Sequence, residues 1–192
     1  LRDRSPSFSL QTSIDSVDLN KAFSAVADLT DVSGTLSGNI TMSGTGQDIT
    51  EIQQSLSGSG RFTVLDPSYE AMNLEQTVCQ AAVLMGGSSS NLSALPTGTK
   101  LETLTSNLSI SNGRISVNDL TTALGNLNLA GKGYVQMLEQ RYRFDVNALI
   151  ASSKTSSLGC SINKRLQNRT IPFICTGRFD GDASQPPSCV PD

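Results

Sequence analysis

The sequence contains neither histidine nor tryptophan. Without an imidazole, Ser-His-Asp and Cys-His catalytic sets are excluded, and zinc loses its usual nitrogen ligand. Charge is also scarce. Only 16% of residues are Asp, Glu, Lys or Arg, and a net charge of −3 argues against a general nucleic-acid surface. No apolar run reaches the roughly 18 residues that a membrane-spanning helix requires. The chain opens at Leu1 with no initiator Met and no signal-like segment, which reads as a piece of a longer protein whose anchor lies upstream.

Ser, Thr, Asn and Gly fill the space that charged residues leave. Their arrangement is clearest from Val32 to Thr45, where Val32, Gly34, Leu36, Gly38, Ile40, Met42 and Gly44 alternate with Ser33, Thr35, Ser37, Asn39, Thr41, Ser43 and Thr45. Side chains point to opposite faces of a strand with period two, so this stretch is extended, apolar on one face and hydroxylated on the other. Glycines on the apolar face leave room for another backbone, a bulge or a foreign molecule.

The same rhythm recurs along the chain. Phe8, Leu10, Thr12 and Ile14 share one side of a first strand, and Asp18 then caps a helix carrying Leu19, Phe23 and Val26 to about Leu29. Asp48 with Glu51 forms a capping-box signature for a second helix bearing Ile49, Ile52 and Leu56. Gly58, Gly60, Phe62 and Val64 mark the next strand, and Asp66-Pro-Ser68 reads as a turn. A third helix runs from about Asn73 through Leu74, Val78, Ala81 and Met85 to Gly86-Gly87, followed by a loop to residue 99. Asn112-Gly113 is a two-residue type I′ hairpin signal that sets Ser111 opposite Arg114, Ile110 opposite Ile115 and Leu108 opposite Val117. Leu127 to Met137 and Tyr142 to Ile150 form another hairpin, and Ile171 to Phe179 is a last strand before a Pro-rich tail. The expected class is β-rich α+β: a curved, mostly antiparallel sheet shaped as a half-pipe or groove, with about three short helices on its apolar face.

Such a sheet is hard to cover. Nine strands about 4.8 Å apart and about 20 Å long expose roughly 850 Å² per face. Three ten-residue helices hide roughly 450 Å² of it. The remainder is closed by the sheet curling on itself, by a neighbouring domain, or by an apolar ligand. Leu36, Ile40, Met42, Phe62, Val64, Leu108, Ile110, Leu127, Leu129 and Val135 are the residues expected to line the apolar face.

The four cysteines, Cys79, Cys160, Cys175 and Cys189, form no C-x-x-C pair, so disulfides are favoured over a metal centre. Four cysteines allow three pairings. Cys160 with Cys175 brackets a hairpin-like excursion, which leaves Cys79 with Cys189.

No catalytic constellation appears, so no enzyme and no cofactor are expected. Asp28, Asp31, Asp66, Asp119, Asp180 and Asp182 scatter over turns and caps. Gly58-Ser-Gly60 lacks the Gly-Lys-Ser/Thr ending of a phosphate loop. Lys164, Arg165 and Arg169 read as a solvated loop, with lipid headgroups or an acidic partner as the alternative. Asn39, Asn91, Asn107 and Asn168 open glycosylation sequons, two of which fall inside expected strands.

Two runs, Ser33-Gly-Thr-Leu-Ser-Gly-Asn-Ile-Thr-Met-Ser-Gly-Thr-Gly46 and Ile52-Gln-Gln-Ser-Leu-Ser-Gly-Ser-Gly-Arg-Phe62, resemble the C-terminal region of the AsmA family. So do Thr99 to Gly113, Gly131-Lys-Gly-Tyr-Val135, Ile171-Pro-Phe-Ile-Cys-Thr-Gly177 and Cys189-Val-Pro-Asp192. The resemblance covers nearly the whole chain from about Leu10 and implies one AsmA-like C-terminal domain over residues 1–192. It further implies a periplasmic location, attachment to the inner membrane through an N-terminal helix upstream, and a part in outer-membrane assembly and intermembrane phospholipid transport. The partners implied are a phospholipid or other acyl-chain lipid, the upstream part of the same polypeptide, and envelope proteins, with no nucleic acid. The alternative is a self-contained structural or interaction β domain of a secreted or cell-envelope protein, with no ligand.

Overall fold

A computed structural model describes residues 5–27, 30–84, 98–125, 127–151, 165, 167–178 and 187–192. Ten strands form one sheet: β1 (Ser7–Asp18), β2 (Val32–Thr45), β3 (Ser57–Tyr69), β4 (Thr99–Lys100), β5 (Leu104–Ser111), β6 (Arg114–Leu124), β7 (Leu127–Gln136), β8 (Arg141–Ile150), β9 (Thr170–Arg178) and β10 (Ser188–Pro191). Their order is β1-β2-β3-β5-β6-β7-β8-β9-β10, and β4 pairs with the far end of β3. Every pairing is antiparallel, as expected for a chain of hairpins, and β1 and β10 remain as edges. The described residues also form three helices: α1 (Leu19–Ala27), α2 (Ile49–Ser55) and α3 (Leu74–Leu84).

Local chemistry places these elements. Asn112 and Gly113 both have positive φ (51° and 73°), as a type I′ turn requires, and the Ser111/Arg114, Ile110/Ile115 and Leu108/Val117 pairs form as expected. Asp18 caps α1 by accepting from Lys21 N at 3.2 Å. Asp48 caps α2 by accepting from Glu51 N at 2.9 Å, while the Glu51 carboxylate returns to Gln47 N at 2.8 Å, one residue before the reciprocal bond of a capping box. Asn73 Oδ1 accepts from Gln76 N at the start of α3. The buried Thr99 hydroxyl holds that start from the other side, accepting from Leu74 N at 2.8 Å and donating to Met72 O at 2.6 Å.

Three expectations are corrected. Asp66-Pro-Ser68 is no turn, because β3 continues through it and pairs Ser68 with Ser33 and Tyr69 with Val32. Asp66 (φ 49°) and Pro67 form a bulge opposite Gly34 (φ 134°), where a proline without an N–H sits at no cost to the ladder. The Pro-rich tail holds a strand, β10, hydrogen-bonded to β9. The disulfide pairing also differs: Cys175 is bonded to Cys189, in place of the expected Cys160–Cys175 and Cys79–Cys189 bridges. The register explains this, because β9 and β10 set the two residues directly opposite one another with Cα atoms 4.0 Å apart. Cys79 is disulfide-bonded too, to a partner outside the described residues. Cys160, Lys164, Asn91, Asp28, Asp180, Asp182, the Gly86-Gly87 stop and most of the loop before Thr99 likewise lie outside them.

The core sits under α3. Leu74, Val78, Cys79, Ala81 and Ala82 of this helix pack on Leu124, Leu127, Leu129, Ala148, Ile150, Ile171, Phe173 and Cys189, drawn from β6 to β10. The sheet face that carries α3 is termed the inner face.

A candidate apolar groove

The register ties the inner face together row by row. One row crosses Leu10, Met42, Gly58, Ile110, Ile115, Val135 and Tyr142. The next crosses Thr12, Ile40, Gly60, Leu108, Val117, Gly133 and Phe144. Two bulges keep the rows apolar by inserting one residue where the alternation slips. In β1 the ladder steps from Ile14/Gly38 to Val17/Leu36 around Ser16 (φ 53°), and in β6 from Val117/Gly133 to Leu120/Gly131.

All ten residues expected to line the apolar face fall on this one side of the sheet, but their surroundings differ. Leu127 and Leu129 are packed under α3 and belong to the closed core. Val64 and Ile110 are buried near the middle of the sheet. Leu36, Ile40, Met42, Phe62, Leu108 and Val135 are half-buried. Neither β1 nor β2 contributes a buried large apolar side chain. Leu10 stays 46% exposed, Ile49 of α2 is 75% exposed, and α2 buries none of its residues. The open part of the inner face therefore runs over β1, β2, β3 and β5.

The glycines shape this wall. A Cβ on Gly58 or Gly60 would stand 2.3 Å from Thr41 O or 2.4 Å from Asn39 O, so the bare backbone permits close approach to β2. At Gly133 the obstacle is a ring, with Phe144 Cδ1 2.3 Å from the same position. An aromatic side chain on one strand thus occupies the notch that glycine leaves on its neighbour.

Tyr69 and Tyr142 report the curvature. They lie on β3 and β8, four strand spacings or about 19 Å apart across the strands alone, and Tyr142 shares a row with Gly58, at the other end of β3 from Tyr69. Their phenols nevertheless interact, so the inner face curls towards itself. Burial raises the Tyr69 phenol above its ordinary value, and the Tyr142 phenol and the Asp31 carboxylate push the same way. Burial raises Tyr142 as well.

The opposite, outer face is polar. Thr105 and Thr121 hydroxyls meet at 2.9 Å, and Ser43 and Ser57 at 3.2 Å. Asp119, in the β6 bulge, accepts from Asn107 N at 2.6 Å, from the Asn107 side-chain amide and from Ser106 Oγ at 3.0 Å. The Asn107 N–H is the main reason that its carboxyl lies below the usual range, with Arg61 adding a favourable charge. Among the described residues no group of three acidic or cysteine side chains is placed to hold a metal ion.

Residues 1–120, from β1 into β6, match the AsmA family. The chain belongs to the AsmA family. No curated protein and no solved structure matches it. AsmA proteins are proteins of the cell envelope, and no described helix of this AsmA chain is long and apolar enough to cross a membrane. Past residue 120 the same antiparallel sheet continues without a break in its pairing order to β10.

Sequence reasoning left Leu10, Ile14 and Leu104 out of the expected lining, although their place in the alternation marks the same face. Tyr69 carries no comparable signal, because its position depends on the bulge at Asp66-Pro67.

Proposed function

We propose that this chain is a non-catalytic, periplasmic module of an AsmA-like protein in outer-membrane assembly and intermembrane phospholipid transport. Its open inner wall holds the acyl chains of a phospholipid. The observation that carries the reading is the set of half-buried apolar side chains at Leu36, Ile40, Met42 and Phe62, none of which belongs to the core under α3. Burying such surface is worth about 25 cal/mol per Å², so a lipid chain laid along it gains several kcal/mol without a single polar contact. Family membership supports the cell-envelope setting. The module works by shape and apolarity, and the upstream part of the same polypeptide supplies the inner-membrane anchor.

The test is lipid co-purification. Native mass spectrometry and lipid extraction of the purified chain are expected to find phospholipid, and Ile40→Asp is expected to remove it while the protein stays folded. A clean apo mass, or undiminished lipid in folded Ile40→Asp protein, overturns the reading. The clean apo mass favours the second one, a self-contained β domain without a ligand. That reading draws on the closed core beneath α3, which needs no guest.

A further inference from the structure

Four of the nine arginines in this acidic chain stand at one corner of the sheet, on the face opposite the groove. The register sets Arg114, Gln136, Arg141 and Arg178 in one row across β6, β7, β8 and β9. Ser116, Tyr134, Arg143 and Thr176 form the next row. Ile115, Val135, Tyr142 and Gly177 face inward, so the arginines face outward. The Arg114 guanidinium stacks over the Tyr134 ring, 3.7 Å from its centroid, which fixes its plane. A depression of about 310 Å³ opens among Tyr134, Arg141, Arg143, Thr176 and Arg178.

Two carboxylates answer these charges. Glu139 pairs with Arg141, and Asp145 lies 3.1 Å from Arg143. Beside these two pairs the corner carries Arg114 and Arg178 as well, in a chain of net −3. The turn that joins β7 to β8 projects from the same corner. Its Leu138 is 45% exposed beside the Asn112-Gly113 turn, with Met137 N bonded to Gly113 O at 3.0 Å.

We propose that this corner docks on an anionic phospholipid surface, with Leu138 entering the acyl boundary and the arginine row lying along the phosphates. A bilayer surface is layered, with acyl chains beneath phosphates, and a projecting leucine backed by guanidinium groups and a tyrosine matches that order. Three strand spacings separate Arg114 from Arg178, about 14 Å, so the row addresses several phosphates at once. A single free phosphate would need arginines that converge, and two of these four are already turned to carboxylates. An acidic protein partner would account for the charge and leave the exposed leucine unexplained. The proposal is independent of the groove, which lies on the other face.

Co-sedimentation of the full chain with phosphatidylglycerol vesicles tests it, with phosphatidylcholine vesicles as the neutral control. The expected result is salt-sensitive binding to the anionic vesicles alone. Arg114→Gln with Arg141→Gln should weaken binding on the order of thirtyfold, the product of about fivefold for each basic side chain near an anionic surface. Leu138→Ser, a change at an exposed turn, should weaken it without altering thermal unfolding. If the double variant fails to fold, Leu138→Ser and the salt dependence decide. Equal binding to neutral vesicles, or binding that survives both variants, overturns the proposal. So does full competition by inorganic phosphate, which would indicate a simple anion site. Capture by polyglutamate without vesicle binding would overturn it in favour of an acidic protein.

Discussion

Ile40 and Phe173 point to the same face of the same sheet, on β2 and β9, and both come from strands with plain two-residue alternation. Phe173 is 1% exposed beneath α3, whereas Ile40 is only half-buried. The strands around Phe173 are covered by a helix that enters from the β3–β4 connection, and its buried side chains pack on residues of β6 to β10. The strands around Ile40 have only α1 and α2 near them, and α2 buries nothing. Alternation therefore decides which side of a strand is oily. What covers that side depends on where a distant segment lands.

The contrast can be broken most directly by truncating both flanks. Phe173→Ala should cost about 3–5 kcal/mol, the usual penalty for an aromatic cavity in a closed core. Met42→Ala should cost only about 1 kcal/mol, because its site already meets solvent and leaves no sealed void. Urea unfolding of both variants checks the pair, and equal losses would mean that the β1–β3 wall is as closed as the other flank. Next in size is the Cys175–Cys189 bridge, whose loop spans a sequence separation of 14. Replacing both cysteines by Ala should lower stability by about 3 kcal/mol in the chain-entropy picture. Hydrogen exchange in β1 and β2 should be far less affected than exchange in β9, and uniform loss of protection would show that the flanks unfold as one unit.

The smallest effect concerns the point where the flanks meet. Tyr69 and Tyr142 have raised folded-state values, so their contribution is fully present below the unfolded tyrosine value of about 10. Above it the unfolded chain releases protons that the folded chain retains, and stability falls as pH rises. Tyr69→Phe should flatten that alkaline decline, measured by unfolding midpoints on either side of pH ~10. An unchanged slope would mean that the phenol contact does not hold the curl.

Much of this molecule was legible from residue order. The Asn112-Gly113 turn fixed a register that the structure reproduces pair for pair, because a two-residue loop leaves the flanking strands no choice. The Asp18 and Asp48 caps were legible for the same local reason. Asp66-Pro67 reads as a turn in sequence because Asp, Pro and Ser68 are turn-forming residue types, and Gly34, which lies opposite the bulge, is not visible locally. The Cys175–Cys189 bridge was missed because β10 is four residues long and includes proline, too short to show a period. For the groove, the expected lining residues share one face as their alternation implied. The division between open wall and covered core was not legible, since it turns on contacts between α3 and strands more than forty residues later.

The extra residue in β6 has a consequence of its own. Asn118 and Asp119 shift the phase of the strand by one, so that Val117 before them and Leu120 after them look the same way. Deleting one of the pair would turn Leu120, Thr122 and Leu124 inside out relative to Ile115 and Val117. No residue downstream would have changed its identity, yet an oily stretch would be delivered to water. The hydroxyl and amide ligands that Ser106 and Asn107 offer to Asp119 thus act as a clasp on the reading frame of the sheet, and length changes are tolerable in this strand only where such a clasp is moved with them.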